Sequence, residues 1–212
     1  MVRVIRALSL DVVLAEAIEV VRRGGLIVYP TDTLYGLGAD PLNERAVERV
    51  YEAKRREAKP LPILVSSRDK VEEVAYVNEE ALRLMDLFWP GPLTIILPKK
   101  PRLPDLVTAG AKSVGVRIPK HDLAIALIEG CGGVLTGTSA NLSGRPPPKT
   151  VEEALSQLGE SVDLAIDAGP APIGMPSTVI DLSGDEPAVV REGAVSLEAL
   201  EEALGRPLKR LT

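Results

Sequence analysis

Leu26-Ile27-Val28-Tyr29-Pro30-Thr31-Asp32-Thr33-Leu34-Tyr35-Gly36-Leu37-Gly38 is the stretch on which the reading of this chain turns. Its first four residues form a short, uninterrupted apolar run stopped by proline, the mark of a strand buried on both faces rather than an amphipathic one. A hydroxyl-rich loop follows, closed by glycines that let backbone or ligand approach closely. Open α/β sheets bind ligands in loops at the carboxyl ends of their strands, so the stretch predicts a fold class and the position of a site together.

Working outward, Leu14, Ala17, Ile18 and Val21 recur at helical spacing over 11–23, and Gly24-Gly25 supplies the stop. Downstream, Asn43 is placed to cap a helix with Ala46, Val47, Val50 and Tyr51 on one face; it ends in Lys54-Arg55-Arg56, where cations suit the helix dipole. The alternation continues with strands over 63–66, 93–97, 114–118, 134–136, 162–167 and 178–182, and helices over 78–88, 121–129, 151–158 and 196–204. It predicts an α/β class, a single-domain twisted open mixed α/β sheet over residues 1–212. No linker, repeat or low-complexity segment interrupts it, and Pro146-Pro147-Pro148 reads as a short stiffened loop.

Composition narrows the function. With 212 residues, 45% of them hydrophobic, the chain can bury a sizeable core. Thirty acidic less 25 basic residues leave a net charge of −5, so a polyanion needs a local patch rather than a global field. Cys131 has no second cysteine to pair with, and one His (His121) with one Cys cannot assemble a zinc site. The amino-terminal segment carries charge throughout and lacks an apolar signal core, so the expected location is cytoplasmic, with no membrane partner.

Common nucleotide and protease motifs are missing: there is no G-x-x-x-x-G-K-[ST], G-x-G-x-x-G or H-E-x-x-H. His121, at the start of a predicted helix, suits a cap better than a triad. Four polar segments remain: 29–38; Lys54-Arg55-Arg56 with Lys59-Pro60-Leu61; 113–119 with Arg117 near a strand end; and 137–144, Gly-Thr-Ser-Ala-Asn-Leu-Ser-Gly. Each admits a purely structural reading, respectively a turn, a solvated helix end, an ordinary ion pair and an Asx turn. Their joint occurrence favours a site.

These segments resemble the YrdC-like threonylcarbamoyl-AMP synthase family, whose K-x-R and S-x-N pairs and P-T-[DE]-T-x-Y-G-L-G loop match Lys54, Arg56, Ser139, Asn141 and 30–38. The resemblance runs from about residue 24 to 193. It takes in Trp89-Pro90-Gly91-Pro92-Leu93-Thr94, Thr108-Ala109-Gly110, Ser177-Thr178-Val179-Ile180-Asp181 and Arg191-Glu192-Gly193. It implies a YrdC-like fold and a nucleotidyltransferase that condenses L-threonine, bicarbonate and ATP into threonylcarbamoyl-AMP and pyrophosphate. The product would feed downstream tRNA threonylcarbamoyl-transfer machinery, with Mg²⁺ accompanying ATP and weak affinity for tRNA or double-stranded RNA.

By the resemblance, Lys54, Arg56, Ser139 and Asn141 form the catalytic signature; Thr33, Arg117, Gly137 and Ser177 contact threonine; and Arg56, Lys59, Ser113, Ser139, Pro147 and Arg191 contact ATP. Leu64 stands where some members carry a histidine, and Pro147 offers only packing or a carbonyl. With no further domain after residue 212, the chain looks like the family's short form. Three mutually repelling anions must meet in this reaction, so the expected contribution of the cations is positioning and electrostatic stabilisation, with no nucleophilic side chain. Two other functions compete: an RNA-binding module of the same fold without synthase activity, which low aromatic content and negative charge disfavour, and a carbamoyl-handling domain of hydrogenase-maturation type.

Overall fold

In the computed structural model, which describes residues 2–7, 9–57 and 59–211, the apolar runs become strands and the periodic segments helices. In chain order these are β1 (Arg3–Arg6), α1 (Leu10–Arg22), β2 (Ile27–Tyr29), β3 (Gly36–Gly38), α2 (Glu44–Lys54), β4 (Ile63–Val65), α3 (Arg68–Val74), α4 (Glu79–Phe88), β5 (Leu93–Pro98) and β6 (Ser113–Arg117). There follow α5 (Asp122–Gly130), β7 (Val134–Thr136), β8 (Thr138–Ser139), α6 (Val151–Leu158), β9 (Leu164–Asp167), β10 (Thr178–Asp181), β11 (Ala188–Arg191), α7 (Leu197–Leu204) and β12 (Lys209–Arg210).

The helices begin where polar side chains can accept an orphan N–H. Asn43, Asn78, His121, Thr150 and Ser196 accept from the amides of Ala46, Ala81, Ala124, Glu153 and Ala199. The predicted starts at 78, 121 and 196 are therefore caps, one residue outside each helix. His121 takes the capping role expected of it, its Nδ1 accepting from Ala124 N–H at 3.3 Å.

The mixed α/β expectation holds, and the strands divide into two sheets. One has the order β1-β9-β2-β3-β8; the other runs β12-β11-β10-β5-β6-β4-β7. In β2, β4 and β7 every residue is buried, as continuous apolar runs require. Helices α1 and α5 cover one side through Val13, Ala17, Val21, Leu123, Ala124, Leu127 and Ile128, which pack on Ile27, Tyr29, Leu64, Leu135, Leu164 and Ile166.

The sheets join at Thr136-Gly137-Thr138. Thr136 Oγ1 donates to Leu37 O and accepts from Ala39 N, both at 2.9 Å, while Tyr29 OH donates to Thr136 O at 3.0 Å. The chain then crosses from β7 in the larger sheet to β8 in the smaller. Only glycine fits at the crossing, because a Cβ on Gly137 would lie 2.8 Å from Leu64 Cγ.

Several elements escape sequence reading. Gly-Leu-Gly of β3 contains no good strand former, yet it pairs antiparallel with β2, and Gly38 lies so close that an added Cβ would sit 2.9 Å from each of Ile27 Cγ1, Leu135 Cδ2 and Tyr29 Cε1. β1 is largely exposed and gains its strand character from parallel pairing with β9, far away in sequence. The close approach at Gly38 predicts that Gly38→Ala lowers stability by about 1–3 kcal/mol through overpacking. Gly184→Ala, where an added Cβ meets nothing within 4 Å, should leave the denaturation midpoint within experimental error; equal midpoints for both variants would contradict the packing argument.

Candidate functional site

A cavity of about 490 Å³ opens between the two sheets. Alternation along the strands builds its floor: Gly115 and Arg117 of β6 and Thr94 and Ile96 of β5 face it, while Val114, Val116, Leu93 and Ile95 turn into the core. The loop after β2 covers it with Thr31, Thr33 and Leu34. The lining contains three arginines, Arg56, Arg117 and Arg191, and no carboxylate. In a chain of net charge −5, this concentrates positive charge in a concavity suited to an anionic ligand.

Thr31 shapes the covering loop. Its hydroxyl accepts from the amides of Thr33 and Leu34, both at 3.2 Å, and donates to Leu34 O at 2.6 Å. The turn presents Asp32 and Thr33 to Arg117, whose side chain is buried at the carboxyl end of β6. Arg117 Nε donates to Gly91 O at 2.9 Å, Nη1 to Thr33 Oγ1 at 2.9 Å, and Nη2 to Asp32 Oδ1 in a buried ion pair. A guanidinium has five N–H donors, so three bonds leave one N–H free on each terminal nitrogen, enough to hold a planar carboxylate. Burial presses the pKa of Arg117 below its ordinary value, and the Asp32 charge opposes that shift.

On β5, the strand paired with β6, Thr94 lies beside Arg117, and its Oγ1 shares a hydrogen bond with Ser177 Oγ at 2.8 Å. Arg191 Nε and Nη2 donate to Ser177 O at 3.2 and 2.9 Å, and Nη2 also reaches Ser177 Oγ at 3.3 Å. Thr178 fixes the segment that follows Arg191, its Oγ1 accepting from the amides of Gly193 and Val195. Burial lowers the pKa of Arg191.

A second pocket of about 460 Å³ adjoins the first and shares Arg56, Ser139 and Asn141 with it. Lys54, Arg55, Lys59, Ser143 and Gly144 complete its wall, with Glu57 the one acidic residue in it. Lys54 is only 2% exposed. Its ammonium donates to the carbonyls of Ser139 and Asn141, and its own carbonyl accepts from Ser143 N at 3.0 Å. It thereby staples the 139–143 loop to the end of α2. Ser139 Oγ donates to Asn141 Oδ1, and the Asn141 amide donates to Leu142 O and Arg145 O, each at 2.8 Å. Arg55 terminates α2 in the left-handed region at φ 47°, which turns Arg56 to the point where the pockets meet. Arg56 Nε is buried without a partner.

The structure thus gathers Thr33, Arg56, Arg117, Gly137, Ser139, Asn141, Pro147, Ser177 and Arg191 around one cavity, with Lys54 and Lys59 in the adjoining pocket. Ser113 lies apart. It shares the face of Gly115 and Arg117, but four residues of strand place it about 13 Å from Arg117, outside the lining. Thr94 and Asp32 stand within the matching motifs but carry no expected role; the alternation in β5 marks Thr94 as inward-facing, whereas nothing local marks the pairing of Asp32 with Arg117. Among the described residues, no group of three or more His, Cys, Asp or Glu side chains could hold a metal ion, and no helix is long and apolar enough to cross a membrane.

The chain matches the Sua5/YciO/YrdC family model, which carries the description "Telomere recombination", over residues 19–193. A threonylcarbamoyl-AMP synthase of Pyrococcus abyssi is 42% identical over 187 residues, covering 87% of this chain and 55% of that protein. One from Bacillus subtilis is 39% identical over 198 residues, covering 92% and 57% respectively. The solved structure of P. abyssi Sua5 complexed with L-threonine superposes with a TM-score of 0.94 at 38% identity, covering all of this chain and 62% of that one. The chain therefore spans a little over half the length of these two curated relatives.

Burial and the neighbouring Arg56 charge push the pKa of Lys54 down to about 7. The unfolded chain, with an ordinary lysine near 10.5, then holds this proton more tightly than the folded one, and protonation favours unfolding. Stability contributed at Lys54 should rise with pH between 7 and 10.5, by up to about 1.4 kcal/mol per pH unit. Urea denaturation of the wild type and Lys54→Met from pH 7 to 9.5 checks this: the wild-type stability should gain on the variant across the window, and a constant difference would refute it.

Proposed function

The chain belongs to the Sua5/YciO/YrdC family, and from that premise we propose that it is a threonylcarbamoyl-AMP synthase, a nucleotidyltransferase that converts L-threonine, bicarbonate and MgATP into threonylcarbamoyl-AMP and pyrophosphate. The observation that carries the proposal is Arg117, a buried guanidinium with two unspent N–H donors in a cavity free of carboxylates. It suits the carboxylate of a small amino acid, with the Thr33 and Ser177 hydroxyls nearby for its polar side chain and Leu64 and Leu34 for its methyl group. The adjoining cationic pocket suits a triphosphate, reached by Arg56 and Lys59 and backed by Lys54.

Bicarbonate takes up a proton and loses water to give CO₂; the threonine amine attacks the CO₂ carbon and returns a proton to solvent, forming a carbamate, and a carbamate oxygen attacks the α-phosphorus of ATP. The α–β phosphoanhydride bond breaks and pyrophosphate leaves. Arg56, Arg117 and Arg191 hold repelling anions within reach of one another, which lowers the barrier through positioning and electrostatic stabilisation. The lining donors are hydroxyls, amides and cations, which fits a magnesium ion carried by the nucleotide, since Mg²⁺ keeps much of its water and binds through phosphates. The product would pass in the cytoplasm to tRNA threonylcarbamoyl-transfer machinery. An RNA-binding role without catalysis is disfavoured by the net charge of −5 and by an aromatic content of only 3%.

Pyrophosphate release by the purified protein with MgATP should require both threonine and bicarbonate; release independent of either defeats the assignment. Arg117→Ala should weaken threonine binding, and Arg56→Ala or Ser139→Ala ATP binding, each by about 1.5–3 kcal/mol for Arg and somewhat less for Ser; calorimetry with each ligand reads the division. Among substrates, serine should fall about 10- to 200-fold below threonine in kcat/KM, and valine lower still because it leaves hydroxyl partners unpaired. A valine rate at or above that of serine would show that these residues do not read the hydroxyl.

A further inference from the structure

Asp32 lies outside the cavity lining, yet it spends a buried carboxylate on the one guanidinium best placed to receive a substrate. We propose that Asp32 is the positioning residue for Arg117, holding the guanidinium so that its two unspent N–H groups face the cavity at the spacing of a carboxylate. The inference rests on the assignment of Arg117 to the amino-acid carboxylate.

Three observations carry it. Asp32 and Arg117 are 3% and 5% exposed, so the pair is shielded from water and its attraction is little screened. Among the described residues Asp32 Oδ1 is the one charged acceptor that Arg117 engages; the other two, Gly91 O and Thr33 Oγ1, are neutral. The main chain at Asp32 is anchored, its backbone carbonyl accepting from Ile173 N at 2.9 Å. The ion pair, together with the bonds to Gly91 O and Thr33 Oγ1, fixes the guanidinium plane, and the Asp32 charge offsets the repulsion from Arg191, a like charge near enough to act on Arg117.

The pair also has a cost that packing does not explain. Asp32 Oδ2 is buried with no hydrogen-bond partner, an arrangement that a residue kept for stability alone would avoid. A half-satisfied carboxylate retained beside a ligand cavity is consistent with a task performed through Arg117. Preorganisation of this kind raises affinity by removing the ordering cost from the binding step.

Asp32→Asn keeps the shape and one acceptor oxygen but removes the charge; Asp32→Ala removes both. The expected result is graded: threonine Kd by calorimetry rises at least tenfold in Asp32→Asn and further in Asp32→Ala, while ATP Kd stays within twofold of wild type. A second readout needs no substrate. The ¹⁵N-labelled Nε–H of Arg117, identified by its loss in Arg117→Lys, should exchange slowly with solvent in the wild type and markedly faster in Asp32→Ala. Unchanged threonine affinity in both variants, or a parallel loss of ATP affinity, overturns the positioning role. If the wild type binds no threonine, the functional assignment of Arg117 fails, and the exchange measurement alone decides whether Asp32 holds it.

Discussion

A charged guanidinium at the end of a buried strand must be compensated, and much of the site follows from how this chain meets that requirement at Arg117. The loop after β2 is folded over Arg117 by the Thr31 hydroxyl, so that Asp32 and Thr33 reach it from one side while Gly91 reaches it from another. Segments far apart in sequence are thereby fixed around one group. Removing one member of such a buried pair leaves an uncompensated charge and costs about 3–5 kcal/mol, which ties the integrity of the cavity wall to the group that would read the ligand.

The opposite end is organised by a second buried cation with a different task. Among the described residues Lys54 has no carboxylate partner; its ammonium is held by loop carbonyls, and the loop is held by it. The K-x-R spacing puts Lys54 behind the wall and Arg56 on it, with the left-handed turn at Arg55 making the division. One residue of the motif builds the loop and the other faces the ligand. Loops supply the polar groups here, and the strands supply a rigid floor.

Much of this was legible in the sequence because helix periodicity and caps are local signals. Asn43 and Thr150 each precede a helix found where spacing puts it. The site residues were legible only as a set: Thr33, Arg117, Ser139 and Ser177 stand in separate segments, and the resemblance, rather than periodicity, collects them. The two-sheet division was not legible, since β1 pairs with β9 across most of the chain and alternation names no partner. Nor was Gly-Leu-Gly as a strand, because its fit against the Tyr29 ring is a packing fact. The ordinary ion-pair reading of Arg117 and the ligand reading turned out to be compatible, the donor count of a guanidinium allowing both.

Complementarity between a cavity and two dissimilar ligands is the central claim, and a crystal structure with L-threonine and a non-hydrolysable ATP analogue tests it most directly. The account predicts the threonine carboxylate within hydrogen-bond distance of both terminal nitrogens of Arg117, with the β- and γ-phosphates in the pocket of Lys54, Arg56 and Lys59. Threonine bound away from Arg117, or phosphates directed away from those cations, would contradict it.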